Sequence, residues 1–130
     1  MATLILFRAA DSDSIGDCAS FAETLETARA YLSNPGFGGR SLYSAECEID
    51  DSSVLDLVDA TDPVAVIAET IGKAHPGAIG ADEYAPRVSY EIRDAGYDWV
   101  RVSESFPAGT VTWIFVGGLD VEPNLVEVAP

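Results

Sequence analysis

Basic residues are scarce in this chain. Seven Lys and Arg stand against 22 Asp and Glu among 130 residues, for a formal charge of −15, and there is a single His. Direct binding to nucleic acid or to an anionic membrane is not expected, because the cations that would neutralise phosphate are scarce. Cysteine is nearly as rare. Cys18 and Cys47 make no disulfide framework, and no metal-ligand spacing joins them to His75. Both read as reduced, structural thiols of a cytoplasmic protein, and no metal is expected. There is no run of about 18 apolar residues, so no span of a membrane is expected. Residues 1–8 lack a basic region ahead of their short apolar run, which argues against a signal peptide.

What is present is apolar enough to fold. Hydrophobic residues make up 48% of the chain, which suits one globular domain over residues 1–130 with a real core. The acidic excess has three readings: solubility, attraction to a basic protein partner, or imitation of nucleic acid.

Periodicity divides the chain into strands and helices in irregular succession. Residues 3–8 form an apolar strand ending at Arg8, followed by an acidic loop with Asp11, Asp13 and Asp17. Residues 20–31 show helical spacing at Phe21, Leu25 and Ala28. Ser20 and Glu23 are placed as a capping box, and Tyr31 lies near the last turn. The glycine-rich turn at 34–39 has neither Walker nor dinucleotide-fingerprint spacing. Residues 41–49 alternate, with Tyr43, Ala45, Cys47 and Ile49 on one face and Ser44, Glu46 and Glu48 on the other.

After a turn at 50–53 comes a short strand at 54–58. Asp62 and Pro63 then open a second helix that ends near Gly72. His75, followed by Pro76, reads as a turn residue. Tyr84, Val88 and Ile92 predict a third helix over 82–95, with Pro86 in its first turn and Gly96 as its cap. Strands at 97–104, 111–116 and 125–128 complete the chain. About six strands with about three helices, not regularly alternating, predict an α+β domain.

Several of these pieces carry a resemblance. Ser20-Phe21-Ala22 followed by Tyr31, a first strand ending at Arg8, and a Gly96-Tyr97 strand leading to Glu104 come in that order. Gly109-Thr110-Val111-Thr112-Trp113 follows them. The chain resembles the small ADP-ribosyltransferases of phages and mobile elements, a group that includes an anti-CRISPR transferase. The resemblance implies a split, twisted antiparallel β-sheet and NAD as substrate. It implies Glu104 as the catalytic carboxylate on the ribose 2′-hydroxyl and Tyr31, with Phe21, packed against nicotinamide. Arg8 would orient the other half of the dinucleotide, and Ser20 would be a further contact.

The implied activity is mono-ADP-ribosylation of a host protein in the host cytoplasm. The implied target is a basic, nucleic-acid-binding protein, with a CRISPR–Cas interference complex as the instance suggested. Three positions depart from the family pattern. Arg8 stands where His is usual, Ala28 where Ser is frequent, and Val102 where arginine-modifying members carry Glu or Gln. An acceptor other than arginine is therefore implied.

Plainer readings stand beside these. Arg8 also suits a strand-end residue paired with a nearby aspartate, and Glu104 an exposed strand-end carboxylate. The competing function is a catalytically inactive acidic DNA mimic that blocks a basic surface of its partner. It would use Asp11, Asp13 and Asp17 in one loop and Glu46, Glu48, Asp50, Asp51, Asp56 and Asp59 in a second stretch.

Overall fold

The computed structural model describes residues 2–10, 18–33, 41–103, 110–117 and 123–128. The acidic loop with Asp11, Asp13 and Asp17, the glycine-rich turn, and Glu104 with the turn after it lie outside the described residues. In order, the elements are β1 (Ala2–Ala10), β2 (Ala19–Ala22), α1 (Leu25–Ser33), β3 (Ser41–Ile49), a 3-10 turn (Asp51–Ser53), β4 (Val54–Asp56), α2 (Pro63–Ile71), α3 (Ala81–Arg87), α4 (Ser89–Asp94), β5 (Trp99–Ser103), β6 (Val111–Phe115) and β7 (Leu125–Val128). The fold is α+β. Among the described residues the strands form one sheet in the order β4-β5-β6-β2-β1-β3-β7, antiparallel except for the parallel β4–β5 pair.

The sheet is folded over on itself. Trp99 on β5 and Cys47 on β3 belong to one buried cluster with Leu6, Phe21, Trp113 and Phe115. In the sheet order these two strands are separated by β6, β2 and β1. A flat sheet would hold them about 19 Å apart, at about 4.8 Å per strand. The crease lies between β1 and β2, whose ladder is reduced to the single pair Phe7↔Ala22. β1 instead pairs with β3 along its whole length, from Ala2↔Ile49 to Ala10↔Ser41. Two half-sheets, β4-β5-β6-β2 and β1-β3-β7, thus enclose an aromatic core. Trp99 meets Phe21 at 5.7 Å, Phe115 at 5.1 Å and Trp113 at 6.0 Å between ring centroids, all edge to face.

Helices cover the outer faces. Val64, Ile67, Tyr84, Ala85 and Ile92 from α2, α3 and α4 pack on Leu55, Val100, Val102, Ile114 and Val116. Strand alternation explains both faces of β5: Val100 and Val102 turn to the helices, while Trp99 turns inward. On the second half-sheet, α1 brings Ala28 and Leu25 against Leu42, Phe7 and Val128.

Two expectations are corrected. Ser20 does not cap a helix, because Ala19–Ala22 is a strand paired with β6, with Ser20 opposite Ile114. Phe21 is buried in the aromatic core, and Glu23 is taken up by Arg101 and Trp113. The helix begins later, where Thr24 Oγ1 accepts from Thr27 N at 3.2 Å and so serves as its cap. The single helix over 82–95 is two helices broken at Val88, whose φ of −119° and ψ of 26° leave the helical region. Pro86 lies in the last turn of α3, where it removes an N–H and crowds the preceding turn. Other local signals within the described residues agree with the structure. Asp62 caps α2 through Ala65 N at 3.1 Å, Pro63 follows it, and Gly72 and Gly96 take positive φ of 71° and 103°.

Candidate functional site

Beyond the Phe7↔Ala22 pair, a guanidinium bridges the crease. Arg8 follows Leu6 on the inward-facing register of β1, and its Nη1 donates to the carbonyl oxygen of Ser20 on β2 at 3.0 Å. Its Nε is buried and has no hydrogen-bond partner among the described residues. Burial lowers the pKa of Arg8, and the nearby Cys18 thiol offsets part of that effect.

The structure brings Arg8 and Ser20 together through the Ser20 carbonyl, not its hydroxyl. Phe21, the next residue along β2, is 1% exposed and locked against Trp99. Tyr31 is half-buried on α1, the helix that covers the outer face of β1 and β3. Glu104 follows Ser103, the last residue of β5, and lies outside the described residues. The pairing of Arg8 with a loop aspartate involves residues 11–17, which are outside them too.

A second cluster lies at the other opening of the folded sheet. Arg101 donates from Nε to Glu23 Oε1 at 3.1 Å and from Nη1 to Asp56 Oδ2 at 3.2 Å. Trp113 Nε1 donates to the same Glu23 oxygen at 2.8 Å, and the guanidinium stands 5.6 Å from the Trp113 ring centroid. Burial works against the charge on Arg101. The hydrogen bond to Glu23 and the fields of Asp56 and Glu23 outweigh it and raise the pKa. These four side chains border a groove of about 660 Å³, with Leu4 and Leu6 of β1 opposite them.

Sequence reasoning passed over this cluster, since its members come from β4, β5, β6 and the residue after β2, spread over 90 residues of chain. One signal was present. Arg101 shares its strand face with Trp99, so a charge stands where the alternation calls for a core residue.

His75 serves the local structure of its loop. His75 Nε2 lies 3.2 Å from Asp62 Oδ2, and its Nδ1 accepts from Gly77 N at 3.0 Å, so the ring braces the turn after α2. Neither Cys18 nor Cys47 is in a disulfide. Among the described residues no cluster of His, Cys, Asp and Glu has the geometry of a metal site, and no helix is long and apolar enough to cross a membrane. No protein-family model and no curated protein sequence matches this chain.

Proposed function

We propose that the chain is an NAD-dependent mono-ADP-ribosyltransferase acting on protein, with its dinucleotide site at the crease where β1 parts from β2. The observation that supports this reading is Arg8. It is fixed across the crease by the Ser20 carbonyl and keeps a buried N–H donor with no partner among the described residues. A buried donor of this kind is costly unless an acceptor reaches it, and an oxygen-rich ribose or pyrophosphate supplies one. In this proposal Arg8 holds the adenosine side of NAD and Ser20 lines the site. Tyr31 borders the nicotinamide, while Phe21, shut inside the aromatic core, supports the strand behind it.

Loss of nicotinamide passes through a transition state with cationic character at the ribose carbon, which a carboxylate stabilises. Glu104, delivered by β5, takes that role by holding the 2′-hydroxyl. A nucleophile on the target protein then forms the new bond to that carbon as nicotinamide leaves. The target proposed is a basic, nucleic-acid-binding protein, and the resemblance suggests a CRISPR interference complex. The test is transfer of labelled ADP-ribose from NAD into bacterial lysate. Label is expected with the wild type and lost with Glu104→Gln and with Arg8→Ala. Absence of both transfer and calorimetric NAD binding in the wild type would overturn the reading.

One observation favours the second reading, an inactive acidic mimic. Glu46 and Glu48 are exposed on one face of β3, while Ala45, Cys47 and Ile49 between and beside them are buried. Two residues of strand set the pair about 6.7 Å apart, on the order of the spacing between successive phosphates. A mimic would lose inhibition in the double variant Glu46→Gln, Glu48→Gln and keep it in Glu104→Gln. A transferase would show the reverse.

A further inference from the structure

The groove at Arg101 has a composition that selects a ligand. Its apolar floor comes from Leu4, Leu6, Val54 and the Trp113 ring. Three carboxylates, Glu23, Asp51 and Asp56, line it against the single guanidinium of Arg101. That guanidinium is already engaged, by Glu23 Oε1 and by Asp56. The Asp51 carboxylate, at the start of the 3-10 turn, accepts no hydrogen bond from any described residue, and Glu23 Oε2 is equally unused among them. The groove therefore offers spare anionic acceptors above an apolar floor. An anionic ligand would meet uncompensated repulsion there.

We propose that this groove docks a basic, partly apolar segment of a protein partner, seating one Arg or Lys side chain with its stem on Leu4 and Trp113 and its charge at Asp51 and Glu23. The occupant is argued from charge complementarity. A chain of net charge −15 attracts a basic surface at long range, and the groove provides the short-range contact that fixes register. Arg101 shows in the same place how a guanidinium is held, between two carboxylates and against the Trp113 ring. Docking here needs no NAD, so it stands or falls separately from the transferase reading.

The test is a titration, without NAD, of the full chain with an acetylated leucine–arginine–leucine amide, at about 0.15 M salt so that distant charges are screened. The readouts are the two indole N–H resonances of Trp99 and Trp113. The peptide is expected to shift the Trp113 signal and leave that of Trp99, while a peptide with neutral citrulline for arginine does neither. Asp51→Asn is expected to weaken binding about 1.4- to fivefold, the range of one exposed charge pair. Glu69→Gln, which removes an exposed carboxylate on α2, should leave affinity unchanged. Equal loss in the two variants would overturn the proposal in favour of net charge alone. Absence of any Trp113 shift would overturn it as well.

Discussion

Glu23 accepts the indole N–H of Trp113 at 2.8 Å, across 90 residues of chain, and so joins the end of β2 to the middle of β6. Trp113 is only 7% exposed, so its N–H has little recourse to water once that acceptor is gone. Glu23→Ala is expected to cost about 1–3 kcal/mol, the penalty of a stranded buried donor. Glu23→Gln keeps an acceptor and loses only a half-exposed ion pair with Arg101, worth about 0.2–1 kcal/mol. Urea unfolding of the two variants separates these contributions. Equal losses would mean that the ion pair, not the indole bond, carries the stability.

Asp62 caps α2 and also pairs with His75 at 3.2 Å. The cap is the larger contribution, because both partners of the His75 contact are about half exposed. Asp62→Ala is expected to lower stability by about 1 kcal/mol, and Asp62→Asn, which retains the cap, by a few tenths. Thermal unfolding measures the difference.

Burial pushes the Cys47 thiol up to about 11. Its thiolate is therefore scarce at ordinary pH, and iodoacetamide at about pH 8 should leave Cys47 unmodified until the protein unfolds. The sign of the linkage follows. The folded state keeps its proton longer than the unfolded state, so the stability from this group falls as pH rises from 9.0 towards about 11. Cys47→Ala should flatten that part of the stability profile, at the cost of a small cavity.

Burial also raises the pKa of the Asp98 carboxyl, with Arg93 drawing it partly back. Here the folded state again binds the proton more tightly, so stability falls as pH climbs out of the ordinary carboxylate range. Asp98→Asn is expected to be slightly more stable than the wild type at pH 7, with the gap closing under acid. A urea midpoint that does not move at neutral pH would contradict this.

Local order was largely legible in the sequence. The alternation of residues 41–49, the Asp62-Pro63 start of α2, the Gly72 and Gly96 stops, and the strands read at 97–104, 111–116 and 125–128, which the structure describes as Trp99–Ser103, Val111–Phe115 and Leu125–Val128, all rest on neighbours within a few residues. Ser20 is the instructive miss. Its spacing to Glu23 satisfies the capping-box pattern, yet β6 lies beside it to be paired, and Glu23 finds Arg101 and Trp113. The short apolar run at 19–22 fits helix and strand alike, and only the partner strand chooses. The candidate site follows the same division. Arg8 stood out as a cation at the end of an apolar strand, whereas its contact with Ser20 needed the two strands side by side.

The sequence by itself determined the class of this protein, an acidic α+β chain, because period and turn chemistry are properties of adjacent residues. Only the tertiary structure decided that the sheet creases at a single β1–β2 pair. It alone placed Arg8 across that crease and gathered Glu23, Asp56, Arg101 and Trp113 around one groove. Those contacts bridge 12 to 90 residues of chain. Local propensity carries no record of such distances, and they close only when buried apolar surface holds the two half-sheets together.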